Sequence, residues 1–246
     1  MRFCAVIFMA TMLVTSVAFG QSAISEGFYK EGVQIGEQAR KSRDDEKLTE
    51  ALGKFQKAAL LEPKVFKYQL NMAYAYDWLN RLPEAQATYE RALVIAPKSA
   101  DARLGLADVL RRLRFHDLAI AEYNKVLKLR KTDASAMLGL ATIAVDRDDL
   151  ALALDWYKKM LKANPKSSEA AFKAANIYWR NKELDEAIDY YRQALKIKDD
   201  YSEARFGLGV ALEDKGDIEA AMVEFRRACK DGIKPACGRV FKYENP

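Results

Sequence analysis

Six alanines, Ala51, Ala85, Ala119, Ala153, Ala187 and Ala221, stand 34 residues apart along the chain without a slip. Four residues after each comes a ring: Phe55, Tyr89, Tyr123, Tyr157, Tyr191 and Phe225. Three further on the side chain is Ala58, Ala92, Val126, Met160, Ala194 or Ala228, and twelve residues upstream of the first row lies a second small one, Ala39, Ala73, Ala107, Ala141, Ala175 and Gly209. One irregular core could not repeat itself on such a ruler. A fixed period of this length means one supersecondary unit stacked on copies of itself.

Each unit reads as two helices. In residues 100–133, Ala102, Leu104, Leu106, Ala107, Leu110 and Leu113 recur at helical spacing, and Ala119, Ile120, Tyr123, Val126 and Leu127 do so again. The short stretch Arg114 to Asp117 between them forces the two helices antiparallel. Ser99, Asp133 and Ser167 are expected to cap the first helices of their units, and Pro63, Pro97 and Pro165 to close units, because proline lacks the amide a continuing helix needs. The small rows let helices approach closely, and the rings fill the gap between one unit and the next.

The pattern resembles the tetratricopeptide repeat family, whose signature has small residues at repeat positions 8, 20 and 27, an aromatic at 24 and proline at 32. The unit 66–99 matches it best, with Ala73, Tyr76, Ala85, Tyr89, Ala92 and Pro97. Departures are Lys131, Asp199 and Ile233 in place of the closing proline, and Met160 in place of a small residue. The resemblance implies an all-α fold, a right-handed superhelical α-solenoid of six repeats over 32–65, 66–99, 100–133, 134–167, 168–201 and 202–233. Residues 21–31 extend the first helix, expected to begin near Ser25, and 234–246 form a capping helix and tail. Apart from the repeats the chain has no glycine- or serine-rich linker, so the period predicts a single elongated domain.

The N-terminus opens with one basic residue, Arg2, an apolar stretch and small residues at Ala18 and Gly20. That composition predicts a secretory signal over 1–20, cleaved after Gly20, and hence a periplasmic or secreted protein. The alternative is an inner-membrane anchor formed by uncleaved residues 3–19. The net charge is +5, or +4 without Arg2, and it is spread along the helices. Nucleic-acid binding wants a concentrated basic stripe with aromatics.

Cys229 and Cys237 survive cleavage, and an even pair in an exported chain predicts a disulfide. Cys229 falls in the last turn of a helix, Gly232 can stop that helix left-handed, and Pro235 can start the next, with Cys237 in its first turn. The run from Ala228 to Cys237 also resembles the cysteine-paired, Sel1-like repeats of secreted bacterial proteins. The bridge would staple the last helix, whose polar face (Lys234, Arg239, Lys242) caps the stack.

No catalytic constellation emerges, so the chain reads as a non-enzyme without cofactor, metal or small-molecule substrate. The single histidine, His116, sits in an intra-unit turn where Leu48, Leu82, Leu150, Leu184 and Ile218 stand elsewhere, so it reads as packing. Asp146, Asp148 and Asp149 lack the glycine and distal glutamate of a calcium loop.

In the resembled family the first helices line the concave face through repeat positions 2, 5, 6, 9, 12 and 13. Read here, position 5 gives an apolar spine, Leu70, Leu104, Leu138, Phe172 and Phe206. Around it stand Tyr74, Asp108 and Asn176 at position 9, with Trp78, Arg111, Arg112, Trp179 and Arg180 at 12 and 13. Aromatics and arginines are the side chains enriched at binding hot spots. The arginines are expected to receive carboxylates of a partner segment, and the glycines at position 6 (Gly105, Gly139, Gly207) to admit something close to the backbone. The family's chaperone-binding members use lysine at position 5 and asparagine at 9, and only Asn176 matches. The expectation is an interaction scaffold for other proteins, envelope proteins by its export. A self-associating structural platform and a regulatory subunit of an envelope enzyme are the alternatives.

Overall fold

In the computed structural model the described side chains are those of residues 20–245, and the described backbone is that of 2–245. Expectations that fall on residues 1–19, the signal and the anchor alike, lie outside those side chains. Among the described residues no helix is long and apolar enough to cross a membrane.

The chain is all-α: thirteen helices and no strand among the described residues. After α1 (Arg2–Ser42) and α2 (Asp45–Leu61) the elements settle into an even rhythm. The pairs are α3 (Phe66–Trp78) with α4 (Leu82–Ile95), α5 (Ala100–Arg112) with α6 (His116–Leu129), α7 (Ala134–Asp146) with α8 (Leu150–Ala163), α9 (Ser168–Arg180) with α10 (Leu184–Ile197), and α11 (Ser202–Lys215) with α12 (Ile218–Lys230). The last helix is α13 (Lys234–Glu244).

The helices group into two compact units, residues 1–131 and 132–246, where the unbroken period predicts one domain. The division falls between two repeats, as it must where each repeat packs only on its neighbours.

The seams follow the sequence rows. All six alanines of the 34-residue row are 0% exposed, and the six rings behind them are buried. Caps are where the residues require them. The side chains of Ser99, Asp133 and Ser167 accept from the amides of Ala102, Ala136 and Ala170 at 3.2, 3.0 and 3.3 Å. Pro63, Pro97 and Pro165 each follow two residues after the end of α2, α4 and α8.

Two devices were not visible in the rows. Asn80, Arg114, Asp148, Lys182 and Gly216, again 34 apart, all take positive φ (57, 67, 59, 64 and 92°) and turn the chain between the helices of a hairpin. At repeat position 4 a long polar side chain reaches six residues back to a loop carbonyl. Gln69 donates to Pro63 O at 3.1 Å, Arg103 to Pro97 O at 2.6 Å and Arg205 to Asp199 O at 2.5 Å. These bonds satisfy acceptors that a connection between helices would otherwise leave open.

The first hairpin breaks the rhythm. Its positive-φ residue is Arg43, three residues ahead of the register of the others, and α2 gains a turn at its start, capped by Asp44. The polar run around Ser42 causes this, since it offers a cap early. Around Ser25 and Glu26 α1 is held by a polar cluster. Buried Ser25 bonds Glu62 and lies 3.2 Å from Tyr68 Oη, while Glu26 accepts from Tyr68 at 3.0 Å and pairs with Lys67 at 2.6 Å. Hydrogen bonding to Lys67 holds the Glu26 carboxyl below its ordinary range, and the same contact raises Lys67.

The other end is fastened covalently. Cys229 and Cys237 form a disulfide across 4.7 Å between Cα atoms, with Gly232 at φ 91° between them and Pro235 in the first turn of α13. Arg239 and Tyr243 of α13 both bond Glu213.

Candidate functional site

The hydroxyls of the ring row need partners, and repeat position 9 supplies two of them. Tyr123 donates to Asp108 Oδ1 and Tyr191 to Asn176 Oδ1, each at 2.5 Å and each fifteen residues back. Tyr89 departs from this. The residue fifteen before it is Tyr74, whose ring meets it edge-on at 5.8 Å between centroids, and the buried Tyr89 hydroxyl has no hydrogen-bond partner. Burial pushes that phenol far above its ordinary pKa, helped by Asp77.

Around it, within the N-terminal unit, lies a cavity of about 470 Å³. α3 contributes Tyr74, Asp77 and Trp78; α5 contributes Asp101, Leu104, Gly105 and Asp108; α4 contributes Tyr89; α1 contributes Gly36, Glu37 and Arg40. Trp78 is 49% exposed and stacks on Tyr74 at 6.2 Å, with the Arg40 guanidinium 5.9 Å from its ring centre. Asp77 pairs with Arg112, which also donates to Asn80, and Asp101 pairs with Arg130 at 2.7 Å. Burial holds the Asp77 carboxyl above its ordinary range; Arg112 opposes that shift and Asp108 adds to it. Burial likewise raises the Tyr74 phenol, with Asp101 adding to the shift.

Four of the groove residues read from sequence, Tyr74, Trp78, Leu104 and Asp108, thus meet in one cavity. Leu70 is half-buried on α3 outside its lining. Arg111 donates to Tyr123 Oη at 3.3 Å and lies 3.9 Å from Asp108. Arg111 and Arg112 are therefore engaged with the chain's own groups, and the cavity lining carries four carboxylates beside the guanidinium of Arg40.

The glycines of position 6 have a different tenant from the one expected. A Cβ on Gly105 would stand 2.3 Å from Tyr89 Cζ, and one on Gly207 would stand 2.5 Å from Tyr191 Cε1. The space beside these backbones is filled by the tyrosine of the preceding repeat.

In the C-terminal unit the corresponding side chains are spent internally. Phe172 packs against Tyr191 and Tyr201 at 6.1 and 5.0 Å, and Phe206 against Phe225 at 5.9 Å. The Trp179 indole lies partly buried against the core and donates to Asp214 Oδ2 at 2.9 Å. Lys182 sits 5.7 Å from the Trp179 ring centre and 3.6 Å from Asp214. Arg180 pairs with Asp148 at 3.1 Å, Asn176 serves Tyr191, and Leu138 is half-buried on α7.

The contribution of α1 escaped the sequence reading, because Gly36, Glu37 and Arg40 lie in the hairpin whose register slips. Their spacing, three and four residues apart on one helix face, was the available signal. His116 begins α6, as Leu82, Leu150, Leu184 and Ile218 begin their helices. Asp149 caps α8 by accepting from Leu152 N at 3.0 Å. Among the described residues no group of three or more His, Cys, Asp or Glu side chains is arranged to hold a metal ion.

Similar folds are known. The crystal structure of YrrB, described as a TPR protein with an unusual peptide-binding site, has 21% identity and a TM-score of 0.60, over 78% of this chain and 98% of that one. PilF of Pseudomonas aeruginosa has 13% identity and a TM-score of 0.72, over 92% and 98%. A MamA protein has 23% identity and a TM-score of 0.60, over 70% and 93%. These likenesses bear on fold alone. No curated protein matches the sequence. The sequence signature of the tetratricopeptide repeat matches residues 70–134, 104–168, 138–202 and 173–235, which together span well over half of the chain. With hairpin, seam and signature in agreement, the chain belongs to the tetratricopeptide repeat family.

Proposed function

We propose that this chain is a non-enzymatic scaffold of the bacterial periplasm that holds a segment of an envelope protein on the face built by its first helices. The observation that carries this reading is the cavity of the N-terminal unit, where a half-exposed Trp78 stands on Tyr74 above a floor with an unsatisfied hydroxyl. A half-exposed tryptophan beside a concave, partly apolar wall is the kind of anchor that carries most of the energy of an interface. Membership of an interaction-repeat family supports the reading, as does the peptide-binding site for which YrrB is described. The apolar N-terminus ending in Ala18 and Gly20 supports export. Settings such as pilus, secretion, outer-membrane or polysaccharide assembly suit an exported scaffold.

The test is capture from envelope extract with mass-spectrometric identification, using the parent, Trp78→Ala and the double variant Trp179→Ala/Arg180→Ala. Recovery of the identified partner should fall at least tenfold for Trp78→Ala, and both variants should stay cooperatively folded. Equal recovery by all three would move the site off this face. Cell fractionation with N-terminal sequencing tests export: a mature chain beginning at Gln21 in the periplasmic fraction is expected.

A further inference from the structure

Resting on the reading that this face takes a partner segment, we propose that the cavity of the N-terminal unit receives a basic side chain of that segment, an arginine or lysine. It would sit against the Tyr74–Trp78 stack with carboxylates around it.

Three observations converge on a cation. The C-terminal unit supplies an example one repeat position away, at position 12 against 13 for Trp78. Trp179 there carries the chain's own Lys182 near its ring, and that ammonium lies 3.6 Å from Asp214. At Trp78 the residue equivalent to Lys182 is Asn80, whose amide oxygen accepts from Arg112 instead. An aromatic ring beside carboxylates attracts a cation through its quadrupole as well as through charge.

Carboxylates outnumber cations in the walls. Glu37, Asp77, Asp101 and Asp108 line the cavity, whereas the arginines that pair with Asp77 and Asp101 lie outside its lining. Asp77, held partly toward its protonated form by burial and by Asp108, would be relieved by a further positive group.

The third observation is independent of charge. Tyr89, 0% exposed, lines the cavity, and its hydroxyl has no partner. A buried oxygen left open costs stability until a donor reaches it, and a guanidinium or ammonium carries several N–H groups. Arg40 is the one cation in the lining and shares the Trp78 ring, so an incoming side chain competes with it.

The experiment uses the full chain labelled with ¹⁵N, whose three tryptophans give three indole N–H signals. The probes are N-acetyl-arginine N-methylamide, its citrulline counterpart, which keeps the length and loses the charge, and its norleucine counterpart, a shorter uncharged alkyl chain. The Trp78 signal should shift saturably with the arginine probe and at least fivefold more weakly with either neutral one. Glu37→Gln/Asp101→Asn should weaken the arginine probe at least fivefold, and Arg40→Ala should tighten it about threefold. Neutral probes binding as well as arginine, or a response at Trp179 or Trp156 in place of Trp78, would overturn the proposal. A peptide-display selection on the same chain separates the two levels. Binders that compete at Trp78 yet carry no arginine or lysine defeat this inference and leave the partner-segment reading standing. Binders that neither Trp78→Ala nor Trp179→Ala weakens defeat that reading, and this inference with it.

Discussion

Trp78 and Trp179 stand at neighbouring repeat positions, 13 and 12, in different units, and their surroundings treat them oppositely. Trp179 has its N–H bonded by Asp214 and Lys182 near its ring. Trp78 stands half in solvent at the mouth of a cavity whose floor hydroxyl lacks a partner. The backbones are built alike, so the difference lies in a few side chains: the tryptophan itself one position further along the helix, asparagine for lysine at the turn, tyrosine for asparagine at position 9. In a repeat protein the scaffold is shared, and the site is made where one copy is left unfinished.

The first and last helices are fastened differently as well, α1 by polar contacts at Ser25 and Glu26 and α13 by a covalent bond. Breaking that covalent bond should give the largest effect. The variant Cys229→Ser/Cys237→Ser is expected to lose about 2.5 kcal/mol, the chain-entropy value for so short a loop. Thermal unfolding with and without reductant reads it: reductant should lower the parent's midpoint and leave the variant's unchanged.

A second prediction concerns what the units share. Ala85→Leu and Ala187→Leu each enlarge a fully buried seam residue and should cost about 2 kcal/mol in denaturant unfolding. Equal losses would show that the seams are equivalent and that the contrast resides in the groove-facing side chains. A loss in one unit alone would place it in the seams instead.

The tryptophans themselves come next. Trp179→Ala removes a hydrogen bond and core contacts, and a loss of about 1–2 kcal/mol is expected. Trp78→Ala should cost about 0.5 kcal/mol or less, because the side chain is half in water already. A large loss at Trp78 would mean that it holds the unit together, which would remove the reason to treat it as an anchor for a partner.

The smallest effect is expected at the polar fastening. Glu26 has a lowered pKa in the folded chain, so its contribution is complete above the ordinary carboxylate range and is lost as the pH falls through the lowered value. Lys67, raised, contributes fully below the ordinary lysine pKa and loses that contribution as the pH rises through the folded value. Protection of the α1 amides, taken relative to the unfolded-chain exchange rate at each pH, should therefore fall at both extremes, and Glu26→Gln should remove the acid limb. An acid limb unchanged in that variant would assign it to other carboxylates.

Much of the fold was legible because a fixed period constrains every copy at once. Ala51 through Ala221 are all fully buried, and Ser99, Asp133 and Ser167 cap where a cap was expected. The first hairpin was not legible to the same degree. Its turn follows a local polar run, and local capping chemistry outweighed the period there. The division into two units left no mark in the rows, since repeat-to-repeat contacts look alike in sequence. At the site, the residues were nameable but their state was not. Arg111, Arg112 and Arg180 read as open guanidinium groups, yet each is engaged by groups that only the folded chain brings near. The orphan hydroxyl of Tyr89 could have been found by asking what stands fifteen residues before each tyrosine of the row.

Gly105 and Gly207 each make room for a ring that belongs to the repeat before them. A copy is thus moulded to its predecessor, and the order of the copies is part of the design. Cutting the gene at 34-residue intervals and rejoining the pieces in a new sequence would set rings against side chains that leave no recess for them. Such shuffled chains should assemble poorly even though every segment keeps the same signature, which makes this array less a string of interchangeable beads than a set of keyed parts.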